Sequence, residues 1–318
     1  MYDVVGLGEI LIDFTPAGRT ENGMKLFEQN PGGAPANMLA VISKAGLKAA
    51  FIGKVGKDMH GEFLKRTLED IGIDTSQLLV DDSVFTTLAF VSLNENAERD
   101  FSFARKPGAD TMIRYSEIDK KMLYNTKVFH IGSLSLTDEP ARGTTIDAIK
   151  TAKKAGAIIS YDPNYRQPLW KSKDTARMHM KSILPYVDII KISDEETDLL
   201  TPYNDPHKAA EYLIERGIKL VAVTLGAEGS YIANEKNSVL VSGFRTSVVD
   251  TTGAGDSFWG GFVSRLILSD KKAEELTAAE LNEFGKFGNA VASLAIEGRG
   301  GIPAIPDISR VRERLKSV

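Results

Sequence analysis

Short apolar runs alternate with segments in which apolar residues recur at helical spacing. Residues 3–12 form the first apolar run and predict a buried strand, which a polar loop follows. Residues 34–45 carry apolar side chains at helical spacing and end before Gly46. Residues 51–55 and 60–71 repeat the strand and the helix. The chain is therefore expected to begin with the order β-α-β-α.

A different pattern interrupts this series. Residues 86–93 and 99–103 predict two strands, and the polar residues 94–98 between them predict a turn. Phe101 and Phe103 alternate with small or polar residues, so one face of this hairpin is apolar. A hairpin inside a β-α series indicates strands that leave the main sheet. Because an exposed apolar β surface needs cover, we expect a homodimer through this hairpin.

Beyond residue 127 the alternation returns. Predicted strands cover 128–134, 157–161, 187–192 and 219–225, with short β segments at 229–233 and 238–241. Predicted helices cover 140–155, 175–184, 207–216, 254–268 and 278–297, and a last one begins at Asp307. This order predicts an α/β fold with a mainly parallel sheet covered on both faces. We expect one doubly wound domain over residues 1–318, with a discontinuous β excursion near residues 10–35 and 85–108.

The composition narrows the class of protein. The chain has 318 residues, of which 42% are hydrophobic, so it can bury a large core and is not disordered. It has no cysteine, which excludes disulfide scaffolds, cysteine-bound zinc, iron–sulfur clusters and thiol catalysis. A formal net charge of −4 argues against nucleic acid or an anionic membrane as the main partner. An enzyme of small molecules is the class that remains.

No segment predicts a membrane span or a targeting signal. The apolar run at residues 258–268 is far shorter than the roughly 20 residues that a span needs, and Arg265 interrupts it. Asp3 and Glu9 lie within the first apolar stretch, which is atypical of a signal peptide. We therefore expect no membrane partner and a cytoplasmic location.

Common nucleotide-binding motifs are absent. No glycine–lysine pair has the upstream spacing and the following Ser or Thr of a P-loop. Gly6 and Gly8 begin a glycine pattern in which Leu11 occupies the third glycine position of a dinucleotide fingerprint. The four histidines are scattered, without the spacing of metal ligands. Any nucleotide site must therefore be of another kind.

The most informative segment is the sequence Asp-Thr-Thr-Gly-Ala-Gly-Asp-Ser-Phe at residues 250–258. Gly253 and Gly255 allow the backbone to approach a ligand closely, and a predicted helix begins there, so its N–H groups form a site suited to phosphate. A carboxylate beside a bound anion repels it, and general-base catalysis would explain the presence of Asp256. Helix capping by Asp256 is the alternative, and the spacing alone leaves both open.

This segment resembles the signature of the ribokinase, or pfkB, family of carbohydrate kinases. Residues 32–37, Gly-Gly-Ala-Pro-Ala-Asn, match a second element of that family, and the stretch from Gly8 to Asp13 resembles the one that carries a sugar-binding aspartate. The resemblance extends over essentially the whole chain. It implies a ribokinase-like three-layer αβα sandwich with a small β-sheet lid, and phosphoryl transfer from ATP to a sugar hydroxyl.

The family resemblance also assigns roles to individual residues. It implies Asp256 as the catalytic base and Gly253, Ala254 and Gly255 as the anion hole. It implies sugar binding by Asp13, Gly32, Gly33 and Asn37. It places the nucleotide at Thr224, Gly226 and Gly229, and the adenine beside Asn289, for which a buried helix amide is the alternative. A turn residue is the alternative for Asp13.

Ions are implied by the resemblance at two places. Ser193 and Glu196 match an element near Mg²⁺ and the phosphates, but the family has Asn where this chain has Ser193, which puts a direct contact from that position in doubt. A monovalent cation, K⁺, is implied beside the anion hole by residues whose contacts would partly be backbone carbonyls. These residues are Asp250, Thr252, Ala295, Gly300 and Ala304.

The choice of sugar depends on two further segments. Residues 103–110, with Arg105, and residues 162–166, with Asn164 and Arg166, resemble the fructokinases of this family. We therefore expect phosphorylation of D-fructose to fructose 6-phosphate. The forked guanidinium groups could equally hold the carboxylate of 2-keto-3-deoxygluconate, or be exposed or ion-paired. A ribose or nucleoside kinase and a non-catalytic sugar-sensing protein remain as further alternatives.

Overall fold

The computed structural model describes residues 1–93 and 99–316, so the predicted turn at residues 94–98 lies outside the described residues. The strands are β1 (Tyr2–Leu7), β2 (Leu11–Arg19), β3 (Lys25–Gly32), β4 (Ala49–Gly56), β5 (Asp74–Asp81), β6 (Leu88–Leu93), β7 (Arg99–Ala104), β8 (Thr126–Gly132), β9 (Ile158–Asp162), β10 (Ile189–Ser193), β11 (Leu220–Thr224), β12 (Gly229–Asn234) and β13 (Ser238–Ser242). The helices are α1 (Ala34–Lys44), α2 (Met59–Asp70), α3 (Lys120–Tyr124), α4 (Ala141–Lys154), α5 (Lys173–Ser182), α6 (Thr197–Leu200), α7 (Pro206–Ile214), α8 (Ala254–Ser269), α9 (Ala278–Ala295) and α10 (Ile308–Lys316).

Nine of the described strands form the main sheet, in the order β13-β12-β11-β10-β9-β8-β1-β4-β5. All neighbours pair in parallel except β11 with β12 and β12 with β13. Successive side chains of a strand point to opposite faces, and the core follows this rule. Val4 joins a core with α1, α2, α8 and α9, whereas Val5 joins one with α4, α5 and α7. The α/β prediction and its three layers are confirmed.

A second sheet has four strands in the order β3-β2-β6-β7. β2 pairs antiparallel with β3 and parallel with β6, and β6 pairs antiparallel with β7. The prediction of one strand over residues 3–12 is wrong, because β1 ends at Leu7 and β2 begins at Leu11 in the other sheet. The polar loop predicted to follow contains most of β2 and all of β3. The edge strand β5 was not predicted.

The small sheet turns different aromatic residues to its two faces. Phe103 is half-buried and lines a cavity against the main body. The side chain of Phe101 lies outside the described residues. On the other face, the ring of Phe90 stacks on Phe14 and contacts the edge of Phe27, and Phe27 and Phe90 are exposed. The face bearing Phe103, which was expected to pair with another subunit, therefore faces the cavity, and the homodimer stays a prediction.

The strand order of the main sheet reverses at β1, which makes β1 a topological switch point. The chain passes from β1 to β4 and β5 on one side, and later adds β8 to β11 on the other. In open α/β sheets, ligands bind beyond the carboxyl ends of the strands at such a point. Among the described residues, no helix combines the length and the apolar character that crossing a bilayer requires.

Candidate active site

A cavity of about 390 Å³ lies beyond the carboxyl ends of β1, β8, β10 and β11, under the small sheet. Many predicted site residues meet there, although they come from distant parts of the chain. The predicted residues in its wall are Asp13, Gly33, Asn37, Asn164, Arg166, Ser193, Glu196, Thr224, Thr252, Gly253, Ala254, Gly255 and Asp256. Glu9 and Lys191, to which the sequence analysis gave no role, line it too.

Helix α8 begins at this cavity with the predicted anion hole. Gly253 precedes the first helical residue with a φ of 74°, a left-handed conformation that glycine adopts without strain. A Cβ atom on Gly255 would lie only 2.5 Å from Lys191 Nζ, so only glycine lets this ammonium approach the helix. Backbone N–H groups at a helix N-terminus and a neighbouring cation both favour an anion. The arrangement can therefore bind a phosphoryl group.

Asp256 lies in the first turn of α8 and is buried. Its Oδ2 accepts a hydrogen bond of 2.8 Å from Asn37 Nδ2. Burial and the nearby Asp162 raise the pKa of Asp256 to about 6, although Lys191, the Asn37 hydrogen bond and Arg166 act in the opposite direction. The carboxylate is therefore ionised at neutral pH while remaining a better proton acceptor than an exposed aspartate.

Lys191 and Asp162 form a buried ion pair beside Asp256. Lys191 Nζ lies 3.0 Å from Asp162 Oδ2, and both side chains are almost fully buried. Burial lowers the pKa of Lys191, but the charges of Asp162, Glu196 and Asp256 more than offset this, so its pKa is raised and the ammonium stays charged. The sequence did indicate a role for Lys191, because a lone lysine inside the buried strand β10 is unfavourable without an acidic partner.

The residues predicted to bind the sugar lie where β1, β2 and α1 meet. Gly33 precedes α1 with a φ of 117°, and a Cβ atom there would lie 2.5 Å from the carbonyl oxygen of Glu9. Gly32 ends β3 opposite Leu11, close to the Asp13 carboxylate. The predicted sugar-binding residues of this segment are thus neighbours in space.

Glu9 is the second residue of the site without a predicted role. It is 2% exposed, and its Oε1 accepts a hydrogen bond of 2.9 Å from the backbone N–H of Ala34. Burial raises the pKa of Glu9 to about 7, although hydrogen bonds from backbone N–H groups lower it. The charge of Asp110 raises this pKa further, and the charge of Arg105 lowers it. Its signal in the sequence was an acid directly after a buried apolar strand.

Arg105 does not line this cavity, although the sequence analysis assigned it to substrate. Its guanidinium is buried and donates two hydrogen bonds to Asp110 Oδ2, at 2.8 and 2.6 Å. It also donates to Thr137 Oγ1 and to the carbonyl oxygen of Leu134. Because these bonds engage every guanidinium nitrogen, the structure supports the ion-paired alternative. Arg166 does line the cavity and keeps its predicted place.

Only some of the residues predicted to bind the nucleotide line the cavity. Thr224, at the end of β11, lines the cavity, and Gly226 and Gly229 lie in the turn that follows. Asn289 does not line the cavity, because its side chain is buried and donates to the carbonyl oxygens of Val241 and Ser242 at 3.1 and 3.2 Å. These bonds fit the buried-amide alternative, and the adenine contact of Asn289 stays a prediction.

The residues predicted for K⁺ gather around one turn beside the anion hole. Asp250 Oδ1 accepts from the N–H of Thr252 at 2.8 Å, and its Oδ2 accepts from the N–H of Gly300 at 3.0 Å. Ala295 and Ala304 both lie close to Gly298 in the same turn. The carboxylate of Asp250 thus ties two loops together at the predicted cation position.

Glu196 is the predicted carboxylate near Mg²⁺ and the phosphates. It lines the cavity, and its oxygens accept from the N–H of Tyr165 at 2.6 Å and the N–H of Ser193 at 2.9 Å. No group of three or more His, Cys, Asp or Glu side chains in the described part of the chain could hold a metal ion. Such a site suits Mg²⁺ that keeps its waters and is held mainly by phosphate oxygens.

Residues 1–308 match the pfkB family of carbohydrate kinases. The chain belongs to this family. The match confirms the resemblance seen in the sequence, and it makes the protein a sugar kinase. Probable fructokinase-6, chloroplastic, from Arabidopsis thaliana is 43% identical over 321 residues, covering 98% of this chain and 82% of the relative.

Solved structures of fructokinases share the fold of this carbohydrate kinase. A fructokinase from Xylella fastidiosa with bound ATP superposes with a TM-score of 0.91 at 29% identity, covering 100% of this chain and 99% of the other. A fructokinase from Vibrio cholerae O395 in a form with bound fructose, ADP and calcium ion has a TM-score of 0.88 at 31% identity, with 99% of each chain covered. The predicted ribokinase-like architecture is confirmed.

Proposed function

We propose that this carbohydrate kinase transfers the γ-phosphoryl group of ATP to D-fructose and forms fructose 6-phosphate. The observation that carries the proposal is the buried Asp256 carboxylate, which Asn37 orients at the start of an anion-binding helix. The identity to a relative named as a probable fructokinase, and the likeness to a fructokinase with bound fructose and ADP, support the choice of sugar.

In this mechanism the sugar binds between Asp13, Gly33 and Asn37, whose polar atoms suit neighbouring hydroxyl groups. Asp256 accepts the proton of the attacking hydroxyl as the new O–P bond forms and the bond to the ADP oxygen breaks. Backbone N–H groups of Gly253–Asp256 stabilise the charge on the transferred group. The products are the sugar phosphate, ADP and a proton on Asp256. The small sheet above the cavity acts as a lid that limits access of water.

Two ions accompany the proposed reaction. Glu196 would orient the water shell of Mg²⁺, which when bound neutralises charge on the phosphates. K⁺ would lie at the turn organised by Asp250, with Thr252, Ala295, Gly300 and Ala304 around it. There the cation would hold the loop before Gly253 and so the anion hole in place.

The arginines bear on the alternative substrate, 2-keto-3-deoxygluconate. Two guanidinium groups in the cavity would favour a carboxylated sugar. Arg105 is ion-paired with Asp110 and does not line the cavity, so Arg166 is the arginine in the described cavity wall. A neutral sugar is therefore the better match to this charge pattern.

The test is ADP release with Mg-ATP and K⁺ against fructose, glucose, ribose, adenosine and 2-keto-3-deoxygluconate. We expect fructose to give the highest kcat/KM. The variant Asp256→Asn should lower kcat by roughly 10²–10⁴-fold while fructose binding persists. Asp82→Asn, an exposed acid outside the cavity, is the matched control and should change neither parameter. Faster turnover of another sugar would overturn the substrate, and near-normal kcat in Asp256→Asn would overturn the base.

A further inference from the structure

The mechanism leaves one buried polar atom of the cavity wall unused. Glu9 Oε2 is buried and has no hydrogen-bond partner among the described residues. Burying a carboxyl oxygen without a hydrogen-bond partner is unfavourable, so such an atom in a functional site commonly forms a hydrogen bond with a bound ligand. Glu9 lines the catalytic cavity, which makes a ligand in that cavity the available partner.

The other carboxyl oxygen fixes the direction of the side chain. Oε1 accepts from the N–H of Ala34, the first residue of α1, whose preceding residue Gly33 supplies no side-chain cap. The backbone of Glu9 is packed against Gly33 as well. The end of β1 and the start of α1 therefore hold the Glu9 side chain in place through Oε1.

The neighbours of Glu9 in the cavity wall are those assigned to the sugar. Asp13 follows on β2, and Gly33 and Asn37 lie at the start of α1. Lys191 and the anion hole belong to β10 and α8. Glu9 therefore lies among the residues assigned to the sugar.

We propose that Glu9 is a further sugar-binding residue, whose Oε2 forms a hydrogen bond with a hydroxyl group of the substrate that is not phosphorylated. A hydroxyl can donate to a carboxylate and can accept from a carboxylic acid. With its pKa raised to about 7, Glu9 exists in both forms near neutrality, and either form makes the contact. The inference rests on the proposed sugar phosphorylation.

The test pairs variants of Glu9 with substrate analogues that each lack one hydroxyl group. Glu9→Met removes both oxygens at similar side-chain length, and Glu9→Asp keeps a carboxyl group but withdraws it by one methylene. In the wild-type enzyme, loss of the contacted hydroxyl should lower kcat/KM by about 10- to 100-fold. In both variants that same loss should shrink to about threefold or less, because the contact is already gone. Glu9→Asp serves alone if Glu9→Met does not fold.

A purely structural role of Glu9 gives a different pattern. If Glu9 only holds the start of α1, the variants lower kcat alike for all analogues, and each missing hydroxyl costs as much in the variants as in the wild type. That result would overturn the proposal. The analogues derive from whichever sugar the wild-type enzyme phosphorylates fastest, so a wrong choice of fructose overturns the proposed substrate and leaves the test of Glu9 intact.

Discussion

Asn37 and Asp256 are 219 positions apart in sequence, yet the Asn37 amide donates a hydrogen bond of 2.8 Å to the Asp256 carboxylate. The bond joins the first helix to α8, and thus the sugar side of the cavity to the anion hole. Because it stabilises the charged form of Asp256, it lowers the pKa of this group against the larger, opposite effects of burial and Asp162.

The first prediction concerns Asn37→Ala. Loss of the donor should raise the pKa of Asp256 above about 6, so the acidic limb of the kcat/KM profile should move to higher pH, by roughly half a unit or more. The measurement is the pH dependence of ADP release. Asn125→Ala removes an exposed amide that bonds Lys121 and should leave the limb in place. An unmoved limb in Asn37→Ala would contradict the role of this bond.

Asp256 should also affect folding stability. Its folded-state pKa of about 6 lies above the ordinary value of 3.8, so the ionised form destabilises the fold. This loss of folding stability is absent below pH 3.8, grows as the pH rises from 3.8 to about 6, and stays constant above about pH 6. Asp256→Asn should therefore be more stable than the wild type at pH 7.5 by up to about 3 kcal/mol, with the difference shrinking toward pH 4.

Urea denaturation at several pH values measures this stability difference. Asp82→Asn should follow the wild-type curve throughout. A less stable Asp256→Asn variant at pH 7.5 would show that the carboxylate contributes more through its partners than it loses by burial.

Substitutions in the buried pair of Lys191 and Asp162 should destabilise the protein, in contrast to Asp256→Asn. Lys191→Met leaves the Asp162 carboxylate without its cation and should reduce the free energy of unfolding by about 3–5 kcal/mol. The double variant Lys191→Met/Asp162→Asn should recover much of this loss, because no uncompensated charge stays buried. A double-mutant cycle in denaturant measures the coupling, and additive losses would refute it.

Arg105 and Arg166 should behave as opposites. Arg105→Met leaves Asp110 unpaired and should reduce the free energy of unfolding by about 3–5 kcal/mol, with the sugar KM changed less than about threefold. Arg166→Met should raise a substrate KM by about tenfold and leave the free energy of unfolding within about 1 kcal/mol. Steady-state kinetics of both variants measures KM, and denaturation measures the free energy of unfolding. A raised sugar KM with unchanged stability in Arg105→Met would restore it to the substrate site.

The sequence predicted the main sheet and its helices well, because buried strands and amphipathic helices leave strong periodic signals. It failed where a strand has exposed polar positions. The edge strand β5 was not predicted. β2 and β3 lie within the β excursion expected near residues 10–35, but their bounds were not predicted because their Thr, Asn and charged residues suggest a loop. Such strands are held by pairing with distant segments, which a local pattern does not contain.

The candidate site could be predicted only in part, for a similar reason. A contiguous motif located Gly253–Asp256 and the residues near Asn37. Whether an arginine meets substrate or an acid depends on contacts across the fold, so Arg105 was misplaced and its partner Asp110 was overlooked. Lys191 and Glu9 are isolated charges next to or within apolar strands, and their importance emerged only with the cavity around them.

The two helices that open onto the cavity each begin after a glycine with positive φ, Gly33 for α1 and Gly253 for α8, and neither glycine can supply a side-chain cap. At α1 the N–H of Ala34 already donates to Glu9, whereas α8 presents peptide N–H groups, which neither gain nor lose a proton at physiological pH. The attraction of the start of α8 for phosphate is thus independent of acidity, and the pH dependence of the reaction comes from the carboxyl groups around it.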